Sequence, residues 1–192
     1  MRDIYVHMRE KIMELLRSVS PFDDIEKSHI ADALAWIGSG TEVYKIKGPD
    51  IPPKHLTAYG VLIDEGAKKI LLVDHIKAEL WLPAGGHVDR DEHPRATVVR
   101  EIQEELGIVA EFLSDDPVFL TETVTVGKTA GHTDVCFWYA LRGDMMQSLV
   151  YDEKEFNGYR WFSFDEILQE EKPIFDPHMK RFLRKWREMM KN

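Results

Sequence analysis

The chain has little cysteine, no long hydrophobic run and no excess of basic residues. Its single cysteine, Cys136, excludes an internal disulfide framework and lies in the strand-like run HTDVCFWYAL, where we expect a buried apolar side chain. No run approaches the roughly 20 apolar residues of a membrane-spanning helix. The N-terminal residues mix charge with apolar side chains and lack the core of a signal peptide. We therefore expect a cytoplasmic protein with no membrane partner.

Acidic residues outnumber basic ones, 34 to 25, for a formal net charge of −9. Proteins that bind long nucleic acids usually carry a basic patch, so we expect no such partner. A basic cluster near the C-terminus is interpreted as the solvated face of an amphipathic helix; it comprises Lys180, Arg181, Arg184, Lys185 and Arg187. An acidic protein can still bind a phosphate ester when a bound cation supplies the positive charge.

The 192 residues suffice for one good core and are too few for two full domains. Helical spacing of apolar residues over 3–18 and again over 24–37 predicts an N-terminal helical hairpin, and the proline-rich segment 41–54 predicts a linker. We expect a helical extension over residues 1–48 and a main domain over residues 49–192. The apolar stripe of the hairpin needs a partner. The candidates are the main domain, a cleft in that domain and a second chain in a homodimer.

The pattern after residue 54 favours an α/β fold. Strands are predicted at His55–Ile63, Lys69–Asp74, Leu80–Leu82, Val109–Phe112, Val118–Val126, Asp134–Leu141 and Tyr159–Phe162. Phe164 begins a short helix, and Asp176-Pro177 predicts the capped start of a last one. Strands on both sides of a helix suit a mixed sheet packed between helices.

The segment Gly86–Ile108, GHVDRDEHPRATVVREIQEELGI, carries most of the functional information. Pro94 suits the first turn of a helix, and Gly107 stands where a left-handed C-cap would end it. At 100° per residue, one face of this helix carries three glutamates, Glu101, Glu104 and Glu105. The opposite stripe is predicted to be Ala96, Val99, Ile102 and Leu106.

Three carboxylates on one helical face repel each other and weaken the helix. A hard divalent cation reverses that effect, because Mg²⁺ and Mn²⁺ prefer carboxylate oxygens. We predict that Glu101, Glu104 and Glu105 bind the ion, with Glu92 from the preceding loop. Arg100 is expected to orient a glutamate through its guanidinium fork. A solvated acidic face is the alternative, but it leaves Arg100, Glu92 and the Gly85-Gly86 pair unexplained.

This segment resembles the Nudix box, and every defining position of that pattern is present. The flanking chain is similar to the family from about His55 to the C-terminus. The resemblance to Nudix (MutT-like) hydrolases implies an α/β/α sandwich with a mixed sheet. It also implies Mg²⁺-dependent hydrolysis, with Mn²⁺ as an alternative, of the pyrophosphate linkage in a small nucleotide. The particular nucleotide stays open among nucleoside triphosphates, ADP-ribose, nucleotide sugars and dinucleoside polyphosphates.

The family's catalytic base is either a box glutamate or one from a later loop. We assign catalytic roles to Glu104, Glu105 and Arg100. In the later loop the candidates are Glu153 and Glu155, and we prefer Glu155 as base or extra ligand, although an ordinary charged loop is an equal alternative.

Substrate contacts are predicted upstream and downstream of the box. Lys77 would reach a phosphate, Trp81 would stack on a base, and Gly85 and Gly86 would let the backbone approach the ligand. His132, close to Asp134, would contact ribose or phosphate. The alternatives are core packing for Trp81, an ordinary turn lysine, and a His–Asp pair that braces its turn.

Two other functions are compatible with this box. The extra hairpin raises the hypothesis of a non-catalytic nucleotide-sensing module, but such modules commonly lose box glutamates and none is missing here. Isomerisation of an isoprenyl diphosphate would require further groups near the metal, such as a reactive cysteine. Cys136 fits that role poorly, because we expect it to be buried in a strand.

Overall fold

The structure, a computed structural model, describes residues 2–47 and 51–191, with side chains described from residue 7 onward except at position 129. Residues 48–50, part of the predicted linker and of the predicted domain boundary, lie outside this description. The helices are α1 (Arg2–Ser18), α2 (Asp24–Gly38), α3 (Pro94–Leu106), α4 (Phe164–Gln169) and α5 (Met179–Met189). The strands are β1 (Lys54–Asp64), β2 (Lys69–His75), β3 (Leu80–Leu82), β4 (Ala84–His87), β5 (Phe119–Val124), β6 (Thr133–Arg142) and β7 (Phe156–Ser163).

The described strands form one mixed sheet between two layers of helices. Its main path runs β3-β2-β1-β6-β5, with β4 paired to β1 and β7 paired to β2. The central pair, β1 and β6, is parallel, whereas the other pairs are antiparallel. The predicted α/β class, the mixed sheet and the N-terminal helices are therefore confirmed.

Alternate residues of the central strands supply two separate cores, as the two-residue period of a strand requires. On one face, Leu56 and Phe137 pack with helix α3 and the N-terminal hairpin. On the other, Val61 and Trp138 pack with α4 and α5. Both faces of β1 and β6 are buried, which explains why their sequences are almost continuously apolar.

The N-terminal hairpin packs on the main domain of its own chain. Glu26 of α2 is fully buried, and its Oε1 accepts hydrogen bonds from the Leu120 amide at 3.0 Å and from Lys185 Nζ at 2.8 Å. Asp23 pairs with Arg181. The apolar stripe that raised the possibility of a homodimer therefore has an intramolecular partner. Lys185 and Arg181 contact the hairpin, so part of the predicted solvated basic face is an internal contact.

The structure departs from the predicted elements at three places. Residues 109–112 form no strand, because only Phe112 makes a bridge, to Leu141. Strand β4 was not predicted, since its glycines favour a loop and its pairing with β1 cannot be seen locally. Helix α5 begins at Met179 instead of at Asp176-Pro177, and Asp176 caps the preceding turn through the His178 amide.

Candidate active site

A cavity of about 310 Å³ opens where β1 and β4 meet helix α3. The segment before β7 and the segment between β5 and β6 complete its walls. Its polar lining includes the acidic residues Glu101, Glu105, Glu155, Asp134 and Asp176. A volume of this size falls at the lower end of the range for small-molecule sites.

Helix α3 is set by its ends, as predicted. His93 accepts a hydrogen bond from the Arg95 amide, Pro94 occupies the first turn, and Gly107 closes the helix at φ 68° with its amide bonded to the carbonyl of Gln103. The buried stripe is rotated by about one residue from the prediction. Thr97 and Val98 are buried, whereas Ala96 and Val99 are exposed.

This rotation separates the three box glutamates. Glu105 lies three residues after Ile102 on the buried side of the helix and is only 6% exposed. Glu101 is half-buried and also lines the cavity. The side chain of Glu104 is 61% exposed and is not part of the cavity lining. The structure therefore brings two of the three predicted carboxylates into the cavity and leaves the third exposed, outside the cavity lining.

The pKa values of both inward carboxyls are raised above the ordinary value. Burial, reinforced by the charge of Glu101, raises the pKa of Glu105 to about 9. Burial also raises the pKa of Glu101, although hydrogen bonding by Arg100 opposes it. The Gly85 amide donates to Glu105 Oε2 at 2.8 Å and lowers its pKa only in part. A buried pair of mutually repelling acids is a place where a divalent cation is favoured.

The glycine pair of β4 makes room for this arrangement. Gly85 has φ 148°, and a Cβ there would stand 2.2 Å from the Ala58 carbonyl oxygen. A Cβ on Gly86 would stand 2.4 Å from Glu101 Oε1. The two positions therefore require glycine for different reasons, one to pair closely with β1 and one to leave space for the Glu101 carboxylate.

Arg100 connects the helix to the loop before it. Its Nε and Nη2 donate to the two carboxylate oxygens of Glu92 at 3.2 and 3.1 Å, and Nη1 donates to Glu101 Oε1 at 2.6 Å. Nη2 also reaches the His87 carbonyl at 3.2 Å. These bonds hold the Glu101 carboxylate in place, and Arg100 is not part of the cavity lining.

Glu92, predicted as a metal ligand, has its oxygens engaged elsewhere. It accepts from Arg100, from the Thr97 hydroxyl at 2.7 Å and from the Asp89 amide at 3.1 Å. Burial pushes its pKa upward, but the bonds from Arg100 and Thr97 outweigh burial and leave the pKa below its ordinary value. The structure shows Glu92 as a support for Arg100 and does not place it in the cavity lining.

The loop before β7 brings Glu155 to the cavity opposite the box. The Asp152 amide donates to the carbonyl of Glu105 at 3.0 Å, and the carbonyl of Glu155 accepts from the Ile76 amide at 2.9 Å. These bonds fix the loop between α3 and the end of β2. Glu155 lines the cavity, whereas Glu153, the other candidate, is exposed and does not.

The predicted substrate-binding residues separate into two groups. Lys77, Gly85, Gly86 and His132 all line the cavity. Trp81 does not: its ring packs against Phe162 at a centroid distance of 5.0 Å, so the structure contradicts the predicted base-stacking role. The physical reason is strand alternation, because Leu80 and Leu82 face the cavity and Trp81 points to the opposite side.

Several lining residues were not assigned to the site from the sequence, among them Asp176, Lys45 and His87. Asp176 was interpreted as a helix cap, but it is buried, and burial raises its pKa to about 7. Lys45 belongs to the predicted linker, and His87 ends strand β4. Burial, Lys45 and the neighbouring imidazoles lower the pKa of His87 to about 3, so its ring is neutral. Only the tertiary fold brings these residues together.

The chain belongs to the NUDIX domain family, whose match spans residues 53–186. Over 89 residues it is 36% identical to the asymmetrical bis(5'-nucleosyl)-tetraphosphatase of Rattus norvegicus, covering 46% of this chain. The chain thus spans 59% of the length of that curated relative. Over 113 residues it is 32% identical to the RNA pyrophosphohydrolase of Acidiphilium cryptum, covering 54% of this chain and 68% of that protein.

Solved structures agree on the fold. The MutT protein from Methanosarcina mazei Go1 superposes with a TM-score of 0.58 at 20% identity, over 71% of this chain and 95% of that one. An Ap4A hydrolase from C. elegans gives a TM-score of 0.54 at 18% identity, over 71% and 96%. Among the residues that the structure describes, no helix has the length and apolarity needed to cross a bilayer.

Proposed function

We propose that this protein is a Mg²⁺-dependent hydrolase that cleaves the pyrophosphate linkage of a small nucleotide. The observation that carries the proposal is that Glu101, Glu105 and Glu155 together line one cavity of nucleotide scale. Burial raises the pKa values of both carboxyls, and a shared divalent cation would offset the cost of ionising them. Their hard oxygen ligands suit Mg²⁺ or Mn²⁺.

In this proposal Glu101 and Glu105 hold the cation, and the exposed Glu104 is a third ligand. A bound divalent cation would neutralise charge on the phosphoryl oxygens and make a nearby water more acidic. Arg100 keeps Glu101 oriented, and the Gly85 amide does the same for Glu105. Phosphoryl transfer to water depends mainly on such positioning and on charge stabilisation.

Glu155 is the proposed general base. It comes from a different segment than the box helix, so it can contact water without giving up the carboxylates that bind the ion. Its charge also acts on Glu101 and Glu105, raising their pKa values, which indicates that the three groups share one electrostatic environment. Lys77, at the cavity wall, is proposed to contact a substrate phosphate.

The proposed substrate class is a nucleotide with at least two linked phosphates. Relatives with assigned names act on bis-nucleosyl tetraphosphates and on RNA, and both groups of compounds contain that linkage. The cavity volume and the net charge of −9 favour a small nucleotide over a long RNA.

A screen of about twenty nucleotides with Mg²⁺ and detection of released phosphate or pyrophosphate tests this proposal. The panel includes diadenosine tetraphosphate and an RNA with a 5' triphosphate. We expect turnover that a chelator abolishes. Turnover should fall at least about 100-fold in Glu105→Gln, and it should also fall in the separate variant Glu104→Gln. Unchanged turnover in both variants would show that the assigned site is wrong.

The base is tested by a matched pair from the same loop. Glu155→Gln should lower kcat by about 10²–10⁴-fold, as loss of a general base does, while the exposed Glu153→Gln should retain activity. Metal-dependent binding of a nucleotide with no product in the whole panel would support the nucleotide-sensing function instead.

A further inference from the structure

Three histidines and one aspartate meet at the wall of the cavity, apart from the box glutamates. His55 lies in β1, His87 ends β4, and His132 and Asp134 flank the start of β6. One ligand atom from each of the four lies within 4.8 Å of all the others. His55 and His132 are buried, and Asp134 and His87 are partly buried.

The hydrogen bonding of His55 fixes its tautomer. Nδ1 lies 3.0 Å from the Pro52 carbonyl oxygen, which can only accept, so Nδ1 carries a proton. In the neutral ring Nε2 is then a bare lone pair. That atom is fully buried, has no hydrogen-bond partner among the described residues, and lies 3.2 Å from Asp134 Oδ1. Two acceptor atoms at that distance repel each other unless something positive lies between them.

The ring nitrogens of His132 and His87 belong to the same group of potential metal ligands. His132 Nε2 lies 3.4 Å from the same Asp134 oxygen, while its Nδ1 contacts the Thr125 hydroxyl at 3.1 Å. The His87 Nε2 atom is buried and has no hydrogen-bond partner among the described residues. A metal-binding histidine commonly directs one nitrogen to a carbonyl or hydroxyl and presents the other to the ion, as His55 and His132 do here.

We propose that His55, His87, His132 and Asp134 form a second metal site, selective for a transition-metal ion of the zinc class. Tetrahedral zinc with bonds of about 2.0–2.1 Å places its ligands about 3.3 Å apart, close to the 3.2 and 3.4 Å separations from Asp134. Three imidazoles make the site soft enough to prefer such an ion over Mg²⁺.

A set of four protein ligands is typical of a structural zinc site, in which no position is left for substrate. The ion would join β4 to β1 and β6, because its ligands come from or adjoin those strands. His87 directly follows Gly86, the residue that makes room for Glu101. The second ion would therefore stabilise the strand against which the box carboxylate rests, without itself contacting the diphosphate.

Cobalt substitution tests the site without reference to catalysis. Tag-free protein is stripped with a chelator and titrated with Co²⁺ in an excess of Mg²⁺, which occupies carboxylate sites and leaves a nitrogen-rich site for cobalt. We expect one equivalent of Co²⁺ with the strong visible absorption of a four-coordinate ion. Addition of Zn²⁺ should abolish that absorption and raise the melting temperature.

Two conservative variants and two controls decide the assignment. Asp134→Asn and His87→Gln should weaken Co²⁺ binding at least about tenfold. The controls are His29→Gln, a histidine outside the cluster, and Glu101→Gln in the box, and both should bind Co²⁺ as the wild type does. Circular dichroism of the metal-free variants tests whether they are folded, and His132→Gln replaces any that is not.

Two results would overturn the proposal. One is weak visible absorption from Co²⁺ that Mg²⁺ displaces, and the other is equal Co²⁺ affinity in the wild type and Asp134→Asn. A protonated His–Asp cluster would then account for the geometry. Because the readout is absorption and stoichiometry, this result is independent of whether the protein hydrolyses a nucleotide.

Discussion

Replacing Glu105 with glutamine should stabilise the protein when divalent ions are removed. Glu105 is 6% exposed, and its pKa is raised from the ordinary 4.5 to about 9 because of burial and the nearby charge of Glu101. The folded state therefore holds a proton that the unfolded chain has released above pH 4.5. The stability that the protonated Glu105 carboxyl contributes is fully present below pH 4.5. It is lost progressively as the pH rises towards 9.

The size of this effect follows from the linkage relation. Each pH unit within that window costs about 1.4 kcal/mol, so the upper limit between about pH 5 and pH 8 is about 4 kcal/mol. Relaxation around the charge reduces it, and we expect about 2 kcal/mol or more. Glutamine cannot ionise, so Glu105→Gln removes this pH-dependent loss of stability, and its amide oxygen can still accept the Gly85 N–H bond.

Urea unfolding in EDTA at several pH values measures the prediction. The wild type should lose stability from about pH 5 to about pH 8 more steeply than Glu105→Gln, and at the higher pH the variant should be the more stable protein. Mg²⁺ should restore stability to the wild type and less to the variant. The exposed Glu104→Gln is the control and should change stability by less than about 0.5 kcal/mol. The same pH dependence in wild type and Glu105→Gln would refute the argument.

Three further substitutions test other parts of the account. Gly86→Ala should lower kcat/KM at least about tenfold with little change in melting temperature, because its Cβ would displace the end of the Glu101 side chain and no backbone atom; a large loss of stability would contradict this. Arg100→Lys should also reduce kcat/KM at least about tenfold, because lysine cannot hold two carboxylates with one fork; full activity would contradict the positioning role. Lys185→Met should cost about 3–5 kcal/mol in urea unfolding, since it leaves the buried Glu26 unpaired; a neutral result would show that the hairpin is not held by this pair.

The box helix and most of the strands could be predicted because their signals are local. Pro94 and Gly107 mark the helix ends in the sequence, and the structure begins and ends α3 there. The resemblance of the box also implied the family, the α/β class and the mixed sheet. The domain match confirms the family, and the sheet topology confirms the fold.

Side-chain direction could be predicted only in part. A spacing of three or four residues placed the box glutamates on one broad face, but which of them enters the cavity depends on how α3 rotates against β1. The sequence held a usable signal, because Val98, Ile102 and Glu105 follow the i, i+4, i+7 spacing of a buried stripe. We interpreted the more exposed Val99 as part of that stripe.

The histidine cluster and Asp176 could not be predicted, since their contacts are set by tertiary structure. His55 and His132 are 77 positions apart and meet because β1 and β6 run parallel in register, with His55 opposite Asp134. The carbonyl that fixes the His55 tautomer belongs to Pro52, which we had assigned to a linker. The spacing of residues in the sequence does not show which side chains of two separate strands will be in contact.

Binding of Mn²⁺ measured by electron paramagnetic resonance, with a non-hydrolysable nucleotide present, tests the central claim most directly. If Glu101 and Glu105 hold the ion against a diphosphate, the nucleotide should tighten Mn²⁺ binding to the wild type. Glu101→Gln and Glu105→Gln should each weaken that binding at least about tenfold, while Glu153→Gln leaves it unchanged. Equal Mn²⁺ affinity in the wild type and both cavity variants would contradict the account.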